Sequence, residues 1–243
     1  MTDGLDQVGG LAVTSDGFTL YAGVTFSEGD KGIIKLSTNA ETATASYMIV
    51  TKTPHQPNGM AADWGINVLY FTDEGTNSEY GGTVSSYNLE IGLLKIESYV
   101  PWADAAYFDS KDKMLYIGEL ITKKIHVFST AEGFLVHESN HEGLSPLGDL
   151  HLLDDLTLEG VTNTYSLNST VLIGADFTGK KIQRFSLDGS LIESIDPGLT
   201  IFEPTSIRWG LGPGFDPNSI YVTEGGGATK FKTDRRVFQI VMT

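Results

Sequence analysis

Asn58, Asp104 and Asp154 stand 46 and 50 residues apart. Each opens the same local pattern: a short apolar stretch, a turn, then a second apolar stretch ending on an acid. All three side chains carry hard oxygen atoms, which suit Ca²⁺, Mg²⁺ or Mn²⁺ better than a soft metal. A divalent ion held by such residues polarises a carbonyl oxygen and lowers the pKa of a bound water. A carboxylate beside it can serve as general base. The chemistry within reach is hydrolysis of a lactone or an ester by a cation-dependent site that takes a small-molecule substrate. The competing reading is structural. Asn-Gly and Asp-Asp pairs are ordinary loop residues that bond their own backbone, and a repeat sets like residues at like places for folding reasons alone.

What must position these residues is a repeated unit that fills the chain. Openings fall at Gly9, Asn58, Asp104, Asp154 and Thr205, which divides the sequence near 9–57, 58–103, 104–153, 154–204 and 205–243. Each opening leads into an apolar strand, as in Met60-Ala61-Ala62, and then a second, as in Val68-Leu69-Tyr70-Phe71-Thr72-Asp73. Third strands follow at Gly32–Ser37, Gly82–Tyr87, Lys124–Ser129, Lys181–Ser186 and Arg236–Ile240, several of them alternating apolar with polar. Outer strands are expected at Tyr47–Val50, Leu94–Tyr99 and Phe134–His137. The fourth inner strand is expected at Asp154–Leu158, with Asn140 to Leu153 and Glu159 to Asn168 as longer insertions over one mouth. No stretch keeps a helical period over three turns. A unit of about fifty residues is a four-stranded sheet, and repeated four-stranded sheets are blades of an all-β propeller. Residues 1–243 then form one propeller domain with five recognisable blades. Inner strands start at one mouth of the central channel, so the five opening residues gather near its axis. The last unit lacks an outer strand, and open blade edges would invite self-association.

Composition fits a soluble globular body. The chain has 243 residues, 40% apolar and 19% charged, and a net charge of −15. That field repels phosphate backbones, so nucleic acid is excluded as a partner, and it favours cations. No apolar run reaches the ~20 residues of a membrane span, and no secretory leader is visible at Met1. With no cysteine there is no thiol catalysis, no thiolate metal site and no disulfide. Asn168-Ser169-Thr170 is an acceptor pattern for N-glycosylation. Compartment stays open.

His55-Gln56-Pro57-Asn58-Gly59-Met60-Ala61 followed by Leu69-Tyr70-Phe71-Thr72-Asp73, and Pro204-Thr205-Ser206-Ile207 followed by Ser219-Ile220-Tyr221-Val222-Thr223-Glu224, resemble motifs of the SMP-30/gluconolactonase/LRE-like family. Strictosidine-synthase-like propellers share their style. The resemblance implies a six-bladed type, of which this chain looks like blades two to six. It also implies one divalent ion, Ca²⁺ first and Zn²⁺, Mg²⁺ or Mn²⁺ as alternatives, held by Glu, Asn, Asn and Asp from four blades. Asn58 falls on the first Asn, Asp104 on the second with Asp replacing Asn, and Asp154 on the Asp. The family's Glu belongs to the blade not seen here, and Glu203 is its nearby substitute. The same resemblance gives Asp154 the role of catalytic base. The alternative function is a non-hydrolytic propeller, strictosidine-synthase-like or a small-molecule or protein binder, without a catalytic metal.

His55 and His151 each lie three residues before an opening and can line the pocket as acid, base or hydrogen-bond donor. With Thr205 they are the candidates for substrate contact. Asp73, Glu119, Asp176 and Glu224 end the second strands of four units, a repeated position that favours turn and inter-blade bonding over catalysis. Trp64, Trp102 and Trp209 are expected in packing. Gly225-Gly226-Gly227 lacks the strand, lysine and helix of a phosphate loop.

Overall fold

The structure is a computed structural model. It describes residues 5–37, 47–73, 75, 81–119, 124–130, 136–141, 147–153, 171–176, 180–186, 191–195, 204–209, 215–216, 219–224 and 237–241. Every regular element in them is a strand. The first sheet runs β1 (Leu5–Val13), β2 (Thr19–Phe26), β3 (Lys31–Ser37) and β4 (Tyr47–Lys52). The second is β5 (Met60–Asp63), β6 (Val68–Asp73), β7 (Thr83–Asn88) and β8 (Leu93–Tyr99). The third is β9 (Ala103–Asp109), β10 (Met114–Glu119), β11 (Ile125–Ser129) and β12 (Val136–His141). The fourth is β13 (Leu147–Leu153), β14 (Val171–Asp176), β15 (Lys181–Ser186) and β16 (Leu191–Ile195). The fifth holds β17 (Pro204–Trp209), β18 (Ser219–Glu224) and β19 (Val237–Val241). In each sheet the hydrogen-bonded order follows the chain, four sheets having four strands and the last three. This is a β-propeller. Among the described residues no helix is long and apolar enough to cross a membrane.

Local sequence explains the strands. In β6 all six positions, Val68 to Asp73, are buried, and the β-branched and aromatic residues there favour an extended backbone covered on both faces. The turn before it is set by Asp63, whose Oδ1 accepts the Gly65 N–H at 2.9 Å. Asn67 takes the left-handed φ of 53° that closes the turn. Asp63 is also ion-paired to Lys113 at 3.0 Å. Outer β8 shows the opposite pattern, with Leu93, Ile96 and Tyr99 exposed.

The chain packs as two compact units, Met1–Ile117 with Val127–Glu138 and Gly118–His126 with Ser139–Thr243. In the first unit, Ala12, Tyr21 and Ile33 of the first sheet pack on Met60, Leu69 and Phe71 of the second. Trp64 joins this layer, 6.0 Å from the Tyr21 ring, as expected of a packing tryptophan. Tyr70 and Val84 then pack on Ala103, Ala106, Phe108 and Leu115 of the third sheet. Burial there, with Asp63 and Glu97 adding to it, pushes the Tyr70 phenol up to about 12. In the second unit, Ile173, Ala175 and Ile182 pack on Ile207, Ile220 and Val222.

The fourth inner strand is not where the sequence placed it. It runs Leu147–Leu153, inside the stretch read as an insertion, and pairs Leu153 with Val171. Asp154 therefore follows this strand instead of opening it. Leu147, Leu150 and Leu152 offer apolar residues as regular as Leu156 and Leu158, so periodicity alone had no means of choosing between the two segments. An outer strand at Leu191–Ile195 was also not foreseen.

Candidate functional site

Asn58 sits just ahead of β5. Its N–H donates to the Thr72 carbonyl at 2.8 Å, so the ladder of β5 and β6 continues back to it. Gly59 follows, and its N–H donates to the Thr72 hydroxyl at 2.8 Å. That hydroxyl, fully buried, donates in turn to the Asp104 carbonyl of β9 at 2.5 Å. One threonine thus ties the leading ends of two successive inner strands. The approach is close enough to need glycine: a Cβ on Gly59 would stand 2.0 Å from the Asp104 carbonyl oxygen. On the other side a Cβ on Gly10 of β1 would stand 2.2 Å from the Asn58 carbonyl oxygen.

Asn58 and Asp104 therefore meet, 46 residues apart, as the repeat predicts. The Asn58 amide donates to Asp104 Oδ1. The Asp104 residue is only 7% exposed. Of the five openings, the structure brings Gly9, Asn58 and Asp104 side by side in the first unit, a Cβ on Gly9 standing 3.2 Å from Asn58 Cα.

A cavity of about 200 Å³ opens beside Asn58, lined by Gln7, Lys31, His55, Gln56, Asn58, Asp73 and Gly75. His55 is half-buried, and its carbonyl accepts the Thr53 hydroxyl at 2.7 Å. Gln56 is oriented by the Thr25 hydroxyl, which donates to its Oε1 at 2.9 Å. Asp73 is 4% exposed. The Thr83 hydroxyl donates to its Oδ2, while Oδ1 has no hydrogen-bond partner. Burial pushes the Asp73 carboxyl above the ordinary value, with the Thr83 hydroxyl, His55 and the Gly75 amide pulling it part of the way back. The sequence assigns Asp73 to turn and inter-blade bonding. Its period in the chain marked it, but only the packing of the second sheet shows that it is buried in the wall of a cavity with an oxygen to spare.

This raised carboxyl has a consequence for stability. A native acid with a raised pKa binds its proton more readily than the unfolded chain does, so its charge costs stability as pH rises through that interval. Asp73→Asn keeps an acceptor for Thr83 and removes the charge. Thermal melts between about pH 3.5 and 8 should show the variant above wild type near neutrality. The gap should close as pH falls toward the ordinary carboxyl value of 3.8. A gap constant across that range would mean the Asp73 charge is not the cause.

The remaining candidates belong to the second unit or fall outside the described residues. Thr205, in β17, is half-buried, with its hydroxyl 3.0 Å from that of Thr223 at the end of β18. His151 is in mid-strand in β13, paired with Ile173. Asp154 and Glu203 lie outside the described residues. The register of β13 instead puts Asp149 opposite Ala175, one residue before the acid that ends β14. In the second sheet the residue one before that acid, Thr72, exchanges hydrogen bonds with Asn58 and Gly59. By register Asp149 corresponds to Gly59 and to Ser206, and it is Gly148 that takes the opening position held by Asn58 and Thr205 in their sheets. A buried pair also closes the third sheet's second strand: Glu119, 2% exposed, lies 2.6 Å from His126 Nε2.

Asn58 and Asp104 meet, and Asp73, which keeps one carboxylate oxygen without a hydrogen-bond partner, lines the cavity beside Asn58. This donor chemistry fits a hard divalent cation, provided the Asn58 amide turns its oxygen rather than its NH₂ toward the ion. Among the described residues no three His, Cys, Asp or Glu side chains form a group that would hold a metal without such help.

No protein-family model matches the sequence, and no curated protein matches it. Solved structures do. A luciferin-regenerating enzyme superimposes with a TM-score of 0.65 at 13% identity, over 98% of this chain and 92% of its own. A gluconolactonase from Xanthomonas campestris gives 0.61 at 13%, over 90% and 69%. Regucalcin from Agrobacterium tumefaciens, described as a calcium-binding protein, gives 0.58 at 10%, over 90% and 82%. At these identities the likeness establishes the propeller fold and no more.

Proposed function

We propose that this propeller is a divalent-cation-dependent hydrolase of a small lactone or ester, acting at the cavity beside Asn58. The observation that carries the reading is the meeting of Asn58 and Asp104, drawn from two successive sheets, next to a cavity that also holds His55 and the spare oxygen of Asp73. The structural neighbours named as a gluconolactonase and as a calcium-binding protein support it, as does the net charge of −15.

Asn58 and Asp104 would hold the ion, with Asp154 and Glu203 as the further ligands that the sequence nominates. Ca²⁺ is the first choice, ahead of Zn²⁺, Mg²⁺ and Mn²⁺. The ion, when bound, supplies Lewis acidity toward the ester carbonyl and acidifies a water. His55 lines the cavity where it can hydrogen-bond the substrate, Gln56 is fixed beside it by Thr25, and His151 and Thr205 are the further candidates for substrate contact that the sequence nominates. Asp154, nominated by the sequence, is the general base.

The test joins metal analysis to a panel of lactones and aryl esters. Chelator-stripped protein should lose turnover and regain it with Ca²⁺, and calorimetry should show the ion binding. If none of Ca²⁺, Mg²⁺, Mn²⁺ or Zn²⁺ binds, the hydrolase reading gives way to a propeller that binds its ligand without a catalytic metal.

A further inference from the structure

The five sheets differ at their outer edges. β4 carries Lys52, β8 carries Lys95 and Glu97, β12 carries Glu138, and β16 carries Glu193. Charge on an outer strand guards it against pairing with another chain. Among the described residues β19 ends the fifth sheet, and it has no such guard. Its sequence, Val237-Phe238-Gln239-Ile240-Val241, contains no charge and no proline. Its register with β18 runs without a bulge from Ser219 opposite Val241 to Thr223 opposite Val237. Val237 is 67% exposed and Val241 56%.

The strand is also nearly the same read in either direction. Antiparallel pairing centred on Gln239 would set Val237 opposite Val241 of a second copy, and Phe238 opposite Ile240. Exposed residues then meet exposed residues, and half-buried ones meet half-buried ones. Cross-strand pairs of this kind are the unit of sheet stabilisation. Gln239 is held at the centre by its Nε2, which donates to the Ser219 hydroxyl at 3.1 Å. Charge argues the same way. Two bodies of charge −15 repel over most of their surface, and an uncharged strand is where a second copy approaches at least cost. A foreign strand would have no reason to match this palindrome, whereas a second copy matches it by identity.

We propose that β19 is a self-complementary edge through which two copies of this chain pair, antiparallel about Gln239. The contact is isologous, so it closes after two copies. It is short, below the ~1,200 Å² of a stable interface, and the dimer is reversible and concentration-dependent. The proposal is independent of any hydrolase activity.

Sedimentation of the whole chain over a wide concentration range tests it, using wild type and two double variants. One carries Val237→Lys and Val241→Lys, the other Val237→Glu and Val241→Glu. Both positions are exposed, and thermal melts check that the fold survives. Wild type should climb toward twice the monomer mass. Each double variant alone should stay monomeric, its dissociation constant raised at least about tenfold by like charges set opposite each other. An equimolar mixture of the two should dimerise again, because lysine then meets glutamate at both ends. A wild type that stays monomeric, double variants that associate as wild type does, or a mixture that stays monomeric would each overturn the proposal.

Discussion

Gly59→Ala is expected to lower the melting temperature by roughly 6–12 °C, through a loss of about 3 kcal/mol. The added methyl would lie 2.0 Å from the Asp104 carbonyl oxygen, 2.7 Å from the Ala106 nitrogen and 2.9 Å from the Ala105 carbonyl carbon. All three are backbone atoms, so no side-chain rotation relieves the clash. The inner strands of the second and third sheets must move apart. That movement breaks the bond from the Thr72 hydroxyl to Asp104 and loosens the layer where Tyr70 packs on Phe108 at 5.8 Å between ring centres. It also pulls Asn58 from Asp104, so cation affinity should fall along with stability. Gly17→Ala is the control. Its φ is +75°, which alanine dislikes, but nothing lies within 4 Å of its added methyl. Its cost should be about 1–2 kcal/mol, with the site intact. Equal effects of the two substitutions would show that the close approach at Gly59 is not what holds the inner strands.

Removing the general base should reduce turnover by about 10²–10⁴-fold, and Asp154→Asn tests that role with Asp149→Asn as the control. Asparagine keeps an oxygen in place but cannot take a proton near neutral pH. The true base should therefore lose hydrolysis far more completely than Ca²⁺ binding. Asp154 is nominated by its place in the family-like motif and its spacing from Asp104. Asp149 is the control: its register opposite Ala175 is that of Gly59 opposite Thr72, one residue past the opening position of Asn58. Asp104→Asn is the comparison and should be milder, since the resembled family has Asn there and its bond with Asn58 can be kept by an amide. Kinetics on the lactone that turns over fastest, beside calorimetry for Ca²⁺, separates these outcomes. If all three variants lose Ca²⁺ binding and turnover in step, the carboxylates act only as ligands and no base has been found among them.

The sequence by itself determined the fold and the meeting of Asn58 with Asp104. Recurring strand pairs near fifty-residue spacing made the chain all-β and made it a propeller, because a four-stranded sheet cannot bury both faces alone and must stack on its neighbours. The same spacing placed Asn58 against Asp104, since residues opening successive inner strands converge wherever blades do. Trp64 in the packing between sheets was legible too. Tertiary structure decided the rest. Leu147–Leu153 and Asp154–Leu158 are near-equal as apolar stretches, and only pairing with Val171–Asp176 selects the first as a strand. That selection puts Gly148, and not Asp154, at the register position that Asn58 has in the second sheet. Asp73 was visible as a repeated acid, but its burial comes from sheets packed on both sides of β6. Its spare oxygen comes from Thr83 bonding one carboxylate atom and leaving the other. Hydrophobic period fixes which residues face inward. It does not fix register between equally apolar segments, nor which polar groups the packing leaves unanswered, because both depend on contacts between residues far apart in the chain.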